Sequence, residues 1–372
     1  MASEREANEP GKRETLAAAA AALRDGALVG LPTETVYGLA ARADDPRAIE
    51  RLREVKGRAA THTFTIHLPD ADAGAAYVSR WLLPARRLAS RFWPGPLTLV
   101  MPASPHVPHA AVSEGVDGAW VGLRVPADDR TRAVLRDVGA PVVMTSANRS
   151  GEPAAPSLRE VPDAIRRQLA VAIDGPRPSL GQASSILRVG PRRFEVEREG
   201  ILTRDDLRRA AGVRVLFVCT GNTCRSPLTE VYFRKRLLLE LGGDPAAPRA
   251  AQDVFLDAFG FAVGSAGLAA AIGSSASEGA VDAAAEAGLS LAEHRARDLT
   301  FDLFERFDRV YGMSARHVDE LRRLAPAGTI VERLDPDDDI VDPFGGPPEA
   351  YRAALERIVA SVDRRLRALA GD

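Results

Sequence analysis

Val213-Arg214-Val215-Leu216-Phe217-Val218-Cys219-Thr220-Gly221-Asn222-Thr223-Cys224-Arg225-Ser226-Pro227-Leu228 is the stretch that decides the fold of the second half of this 372-residue chain. Val213 to Val218 is a short apolar run and reads as a buried strand. Pro227 to Phe233 reads as the start of a helix, with Pro227 at its first position and Ser226 as its cap. A strand, a tight turn and a helix start gather backbone N–H groups and the positive end of a helix around one point, which suits a phosphate-like anion. A cysteine held at that point is expected to ionise near neutral pH, because the thiolate is an anion too. Arg225 can grip a phosphoryl group there through two parallel hydrogen bonds. Outside such a setting a strand-end cysteine is an inert small hydrophobe, and an arginine six positions on is a surface charge.

Further downstream, Val263-Gly264-Ser265-Ala266-Gly267, Glu293-His294-Arg295-Ala296-Arg297 and Asp342-Pro343-Phe344-Gly345 follow in order. Together with the Cys219 loop they resemble the low-molecular-weight protein-tyrosine phosphatases: the second strand and its exit, the stretch after the second helix, and the general-acid loop. The resemblance runs from Val213 to the C-terminus. It implies a small parallel sheet flanked by helices, no cofactor, and a phosphorylated protein as substrate. Cys219 would attack phosphorus in line with the leaving group and form a phosphocysteine. Arg225 and the loop Thr220, Gly221, Asn222, Thr223 and Cys224 would hold the equatorial oxygens. Ser226 would donate a hydrogen bond to the thiolate. Asp342 would protonate the leaving atom and then act as base on the hydrolytic water, and no step needs a metal. Five aspartates occur from Asp335 through Asp342, so Asp335, also followed by proline, competes for the acid role.

Thr223 bears on the substrate. Family members with isoleucine there look like phosphotyrosine enzymes, and members with threonine resemble bacterial protein-arginine phosphatases. A hydroxyl can orient a guanidinium, although threonine can also pack like valine. Phosphotyrosine and phosphoarginine both stay open, and Thr223 leans toward the second. The chain has two cysteines, Cys219 and Cys224, both in the loop. This count excludes the arsenate-reductase relay, which passes a disulfide to distant cysteines. It also excludes structural disulfides and predicts a reducing, cytoplasmic setting. A reversible Cys219–Cys224 bridge protecting the nucleophile is a further expectation.

The first two hundred residues are separate. Lys and Arg (49) nearly balance Asp and Glu (51), so no bulk polyanion-binding field is expected. Met1 to Glu14 is polar and does not read as a signal peptide, and no apolar run reaches membrane-spanning length. Strands are predicted at 27–31, 64–68, 97–101, 120–125 and 141–145. Ala48, Ile49, Leu52 and Val55 share one face of a helix ending near Lys56. Strands interleaved with helices imply an α/β layer structure, whose sites collect at strand ends. Polar clusters stand at those ends: Thr33-Glu34-Thr35, Lys56-Gly57-Arg58 and Thr145-Ser146-Ala147-Asn148.

Pro32-Thr33-Glu34-Thr35-Val36-Tyr37-Gly38-Leu39, Lys56-Gly57-Arg58, Arg91-Phe92-Trp93-Pro94-Gly95-Pro96-Leu97-Thr98 and Thr145-Ser146-Ala147-Asn148-Arg149-Ser150-Gly151 occur in that order. They resemble the YrdC-type threonylcarbamoyl-AMP synthases. The resemblance implies a twisted, mixed α/β sheet that joins L-threonine, bicarbonate and ATP, with Mg²⁺, toward the t6A base of tRNA. By motif match Lys56, Arg58, Ser146, Asn148 and Arg198 would face ATP. Thr35, His67, Arg124 and Ser184 would surround threonine. The chain departs from the family with Ala59 and His62-Thr63-Phe64 in a substrate-contacting loop, with Pro176 after Asp174-Gly175, and with Ser184-Ser185-Ile186.

The expected organisation is therefore a synthase domain at 1–203, a linker at 204–212 and a phosphatase domain at 213–372. The expected function is bifunctional. The alternative makes the first half a non-catalytic module binding tRNA or double-stranded RNA. No membrane partner is expected.

Overall fold

A computed structural model describes residues 10–59 and 61–369. The signal-peptide reading of the first nine residues, and Ala60 in the departing loop, lie outside them. The chain forms two compact units that divide between Leu207 and Arg208, inside the helix Arg204–Ala211. Among the described residues no helix is long and apolar enough to cross a membrane.

The first unit is built on one mixed sheet of ten strands among the described residues: β1 Leu28–Leu31, β2 Gly38–Arg42, β3 Thr65–His67, β4 Leu97–Pro102, β5 Val112–Gly115, β6 Gly118–Arg124, β7 Val142–Ser146, β8 Leu169–Ala172, β9 Ser185–Gly190 and β10 Arg193–Arg198. Their order is β10-β9-β4-β6-β3-β7-β2-β1-β8, with β5 on β6. The helix Pro10–Arg24 lays Leu16, Ala19, Ala20 and Leu23 over Val29, Leu31, Ala40, Val142 and Met144, where Val134, Leu135 and Val138 of the helix Asp129–Val138 join them. Burial of such side chains is worth roughly 1.5–3 kcal/mol each for the larger ones.

Register brings the polar strand ends together. His67 pairs with Arg124 across parallel β3 and β6, and Gly38 pairs with Ser146 across antiparallel β2 and β7. The helix Pro46–Lys56 starts where Asp45 accepts hydrogen bonds from Arg47 N and Ala48 N, and Pro46 supplies a preset φ. It ends at Gly57, whose φ of 60° is left-handed and turns Arg58 away from Lys56. Ala48, Ile49 and Leu52 are buried as the periodicity predicts. Lys56, not Val55, completes the inner face.

The second unit has a four-stranded, all-parallel sheet: β11 Arg214–Cys219, β12 Ala262–Gly267, β13 Arg309–Gly312 and β14 Ile330–Arg333, in the order β12-β11-β13-β14. The chain leaves β11 for one side and then crosses to the other, so the carboxyl end of β11 is the switch point where such folds open a crevice. Leu216, Val218, Val310 and Val331 pack against Leu303, Phe304, Phe307, Val318 and Leu321 on one face. Phe217 stacks on Tyr311 and meets Phe233 edge-on at 5.3 Å.

One local expectation is corrected. The helix runs Arg225–Leu241, so Cys224 takes the cap position and Pro227 is the third helical residue. The turn around the crevice already carries helical backbone at Arg225. Proline is tolerated throughout a first turn because N–H groups there have no intrahelical partner. Ser226 is thereby inside the helix, free to turn its hydroxyl toward sulfur instead of capping.

Candidate active sites

At the switch point Cys219 ends β11, buried, with its Sγ 3.0 Å from Ser226 Oγ. Asn222 holds the turn in the left-handed region, at φ 52°. Its Nδ2 donates to Ser226 Oγ and Ser265 Oγ, each at 2.9 Å, and its Oδ1 accepts from Arg297 N. Because Asn222 donates into Ser226 Oγ, the serine proton is left for Ala266 O at 3.4 Å or for the closer sulfur. Ser265 in turn donates to the buried carboxylate of Glu230, which pairs with Arg249. His294 Nε2 lies 2.7 Å from the Asn222 carbonyl, and since a carbonyl only accepts, that nitrogen carries the proton. Gly267 is required: a Cβ there would stand 2.7 Å from Thr220 O and 3.0 Å from Asn222 N.

Arg225 is 5% exposed. Its Nη1 donates to Ile340 O at 3.1 Å and its Nη2 to Asp342 Oδ2 at 2.5 Å, while its Nε is buried without a partner. A buried, unpaired guanidinium N–H is costly unless an acceptor arrives. Asp342 is half exposed and also accepts from Phe344 N. Phe344 itself is exposed. Asp335 points elsewhere: it is buried against Arg357, 2.6 Å away, with Arg364 at 3.9 Å, and although burial raises its carboxyl, the bond it accepts from Asp337 N and then the two arginines hold it below the usual range. Cys224 Sγ contacts Ser277 Oγ at 3.0 Å and Thr223 Oγ1 at 3.6 Å, and burial pushes its thiol up. Gly221 and Thr220 complete the loop, with Thr220 exposed.

Asn222→Ala removes three bonds to buried or half-buried partners and places alanine at a positive φ. We expect about 3 kcal/mol lost from the second unit. The chain's three tryptophans, Trp81, Trp93 and Trp120, all lie in the first unit. The loss should therefore appear in urea unfolding followed by circular dichroism and not in tryptophan fluorescence.

In the first unit a cavity of about 450 Å³ is lined by Arg58, His67, Arg124, Ser146, Asn148, Ser184 and Arg198 among others. Arg124 is buried; its Nη2 donates to Glu34 Oε1 at 2.6 Å and Thr35 Oγ1 at 2.8 Å, and its Nε to Gly95 O. His67 Nδ1 lies 3.2 Å from Thr65 O and so carries the proton, leaving Nε2 as an acceptor. Burial, then the Arg124 charge, push this imidazole down to about 3, so it is neutral. Ser184 Oγ meets Thr98 Oγ1 at 3.2 Å and accepts from Arg198 Nη2 at 3.0 Å. Arg58 donates to Ser150 Oγ and lies 5.7 Å over the Phe64 ring. Phe64 of the departing loop thus packs against a motif cation.

Two residues expected at the ligand stand behind the wall instead. Thr35 is fully buried under Arg124, bonded to Thr33. Lys56 donates to Ser146 O, Asn148 O and Asn148 Oδ1, so its three N–H groups tie down the 146–148 turn. Burial and the Arg58 charge pull this ammonium down to about 8. Among the described residues no group of three or more His, Cys, Asp or Glu could hold a metal ion. Among the described residues Glu152 is the one carboxylate lining the cavity, and one carboxylate plus substrate phosphates is a usual Mg²⁺ arrangement.

Sequence reading gave no role to Glu34, Glu152, Glu230, His294 or His317. Glu34 sits inside a quoted motif and His294 inside another; a polar residue within a matched motif was the available signal. His317 had none.

The family model for Sua5, YciO and YrdC, described as telomere recombination, matches residues 21–200. The model for low molecular weight phosphotyrosine protein phosphatase matches residues 214–372. The threonylcarbamoyl-AMP synthase of Pyrococcus abyssi is 34% identical over 194 residues, 52% of this chain and 56% of that protein. That of Alkalilimnicola ehrlichii is 38% identical over 146 residues, 38% of this chain and 72% of that protein. The YwlE arginine phosphatase from Geobacillus stearothermophilus has 34% identity and a TM-score of 0.35, covering 42% of this chain and 92% of that one. The chain spans 56% of the length of the Pyrococcus abyssi protein and of its Bacillus subtilis counterpart.

Proposed function

Because residues 21–200 belong to the Sua5/YciO/YrdC family and residues 214–372 to the low molecular weight phosphotyrosine protein phosphatases, we propose that this chain carries two activities. The 1–203 domain makes L-threonylcarbamoyladenylate from L-threonine, bicarbonate and ATP. The 213–372 domain removes phosphate from protein phosphotyrosine or phosphoarginine. The stretch 204–212 joins them.

The observation that supports the phosphatase is the buried, unpaired Nε of Arg225, six residues after a sulfur already bonded to a hydroxyl. A phosphoryl group entering there accepts from Nε and displaces Asp342 from Nη2, which is the natural bidentate geometry for this guanidinium. The displaced carboxyl is then free to meet the leaving atom. Cys219 Sγ bonds to phosphorus as the leaving-group bond breaks, and Asp342 supplies the proton. Asp342 next deprotonates water, whose oxygen displaces sulfur and releases inorganic phosphate.

The synthase reading is supported by a cavity walled by three arginines and a neutral imidazole. Arg124 suits the threonine carboxylate, and the acceptor Nε2 of His67 suits a threonine N–H or O–H. Arg58 and Arg198 suit the nucleotide phosphates. Lys56 and Thr35 position them, Lys56 through the Ser146–Asn148 turn and Thr35 through Arg124. Glu152 would hold Mg²⁺, which would supply positive charge for the departing pyrophosphate. Threonine carbamate forms an O–P bond at the α-phosphorus as pyrophosphate leaves, a reaction driven mostly by positioning.

Pyrophosphate release measured with ATP and bicarbonate tests this half: release that requires L-threonine is expected. Release indifferent to threonine, or none, would reject the synthase and leave a binding domain.

A further inference from the structure

Thr220 follows the nucleophile directly, exposed at the rim of the phosphate cradle, and its Oγ1 lies 3.0 Å from Nε2 of His317. The histidine is buried in the first turn of the helix Ala315–Leu324. Its Nδ1 lies 2.6 Å from the Oγ of Ser314, which caps that helix by accepting from His317 N. The approach is close because β13 ends in Gly312, where a Cβ would stand 3.0 Å from His317 Cβ. An otherwise mobile surface hydroxyl is thus gripped from below by a ring that is itself fixed.

The chemistry of the grip depends on which ring nitrogen carries the proton. A neutral imidazole has one N–H and one acceptor nitrogen. Ser314 Oγ already accepts from His317 N and keeps a second lone pair that can take Nδ1–H. With the ring proton on Nδ1, Nε2 accepts from the Thr220 hydroxyl, and this is the tautomer the proposal below takes. Burial and the Arg225 charge hold this imidazole down to about 4, against the opposing pull of Asp342 and Glu320, so it is neutral near pH 7. With its proton turned inward, Thr220 Oγ1 offers only lone pairs to the mouth of the site.

We propose that His317 is a positioning residue that presents Thr220 as an acceptor, selecting leaving groups that carry N–H. This rests on the phosphatase reading and takes it toward phosphoguanidines, phosphoarginine in a protein, over phenolic esters. In phosphoarginine the nitrogen bonded to phosphorus belongs to a guanidino group rich in N–H donors. One of them can bond Thr220 Oγ1 while the S–P bond forms and the P–N bond breaks, its electron pair staying on nitrogen, which takes the proton of Asp342. The departing phenolate oxygen of phosphotyrosine has no hydrogen to offer, so the same hydroxyl contributes nothing to its release.

The test compares kcat/KM on phosphoarginine and phosphotyrosine peptides for the full chain and three variants. Thr220→Val and His317→Leu should each lower the phosphoarginine-to-phosphotyrosine ratio about tenfold, as one well-placed hydrogen bond to the transition state would. His317→Gln, whose Oε1 can accept where Nε2 does, should restore the ratio to within about threefold. Thr220→Val replaces an exposed side chain and leaves the His317 ring in place, so the ratio is readable even if a His317 variant folds poorly. A ratio unchanged in Thr220→Val and His317→Leu, or His317→Gln no better than leucine, overturns the proposal. Turnover of both peptides that persists in Cys219→Ser instead overturns the phosphatase reading beneath it.

Discussion

Cys219→Ser is expected to lower turnover of para-nitrophenyl phosphate at least ~10⁴-fold, and Arg225→Lys about 10³-fold. The first effect follows from what Sγ is bonded to. Its partner is the Ser226 hydroxyl at 3.0 Å, which can stabilise a thiolate by donating and cannot deprotonate an alcohol. The second follows from how Arg225 is held. One end of its fork bonds Ile340 O, the other Asp342, and Nε waits buried for an acceptor. Lysine keeps the charge but has no fork, so it loses both the Nε contact and the tether to the acid loop. Release of pyrophosphate by the same preparations serves as the internal control. A Cys219→Ser enzyme retaining more than a few per cent of its turnover would remove the nucleophile from the scheme.

The parts legible in the sequence were those written locally. A run of apolar residues ending at Cys219 can only be buried on both faces, and Asn222, Gly221 and Pro227 mark a turn into a helix within eight residues. Even there the helix start slipped by two residues, because proline is admissible at several first-turn positions and the pattern does not choose among them. What stayed hidden was partnership across the chain. Lys56 looks like a phosphate ligand by its motif, yet its acceptors lie 90 and 92 residues away, where β7 ends. The register of β2 on β7 brings them under it. His317 meets Thr220 across 97 residues only because β13 lies beside β11. Asp335 and Asp342 have the same following proline; Arg357 and Arg364, on the last helix, draw one away from the site.

Arg124 carries the last prediction, because its buried pair with Glu34 makes two effects separable. The side chains are 7% and 11% exposed and 2.6 Å apart, and Glu34 Oε2 also accepts from Ala127 N. Removing the arginine strands a buried carboxylate, so Arg124→Ala should cost the first unit about 3–5 kcal/mol, read from tryptophan fluorescence in urea. Adding Glu34→Gln to that variant should recover a large part, since the uncompensated charge is gone. If stability were all that Arg124 provides, the double variant would also regain activity. The carboxylate-binding role predicts otherwise: threonine-dependent pyrophosphate release stays at least ~10²-fold down in kcat/KM for threonine, while the KM for ATP moves little. Arg124→Lys sharpens the comparison. It keeps a positive charge near Glu34 and so much of the stability, but cannot bond Glu34, Thr35 and Gly95 while still offering a planar pair of donors to a substrate. Normal threonine kinetics in Arg124→Lys would show that charge alone suffices and that the fork held by Glu34 has no part in recognition.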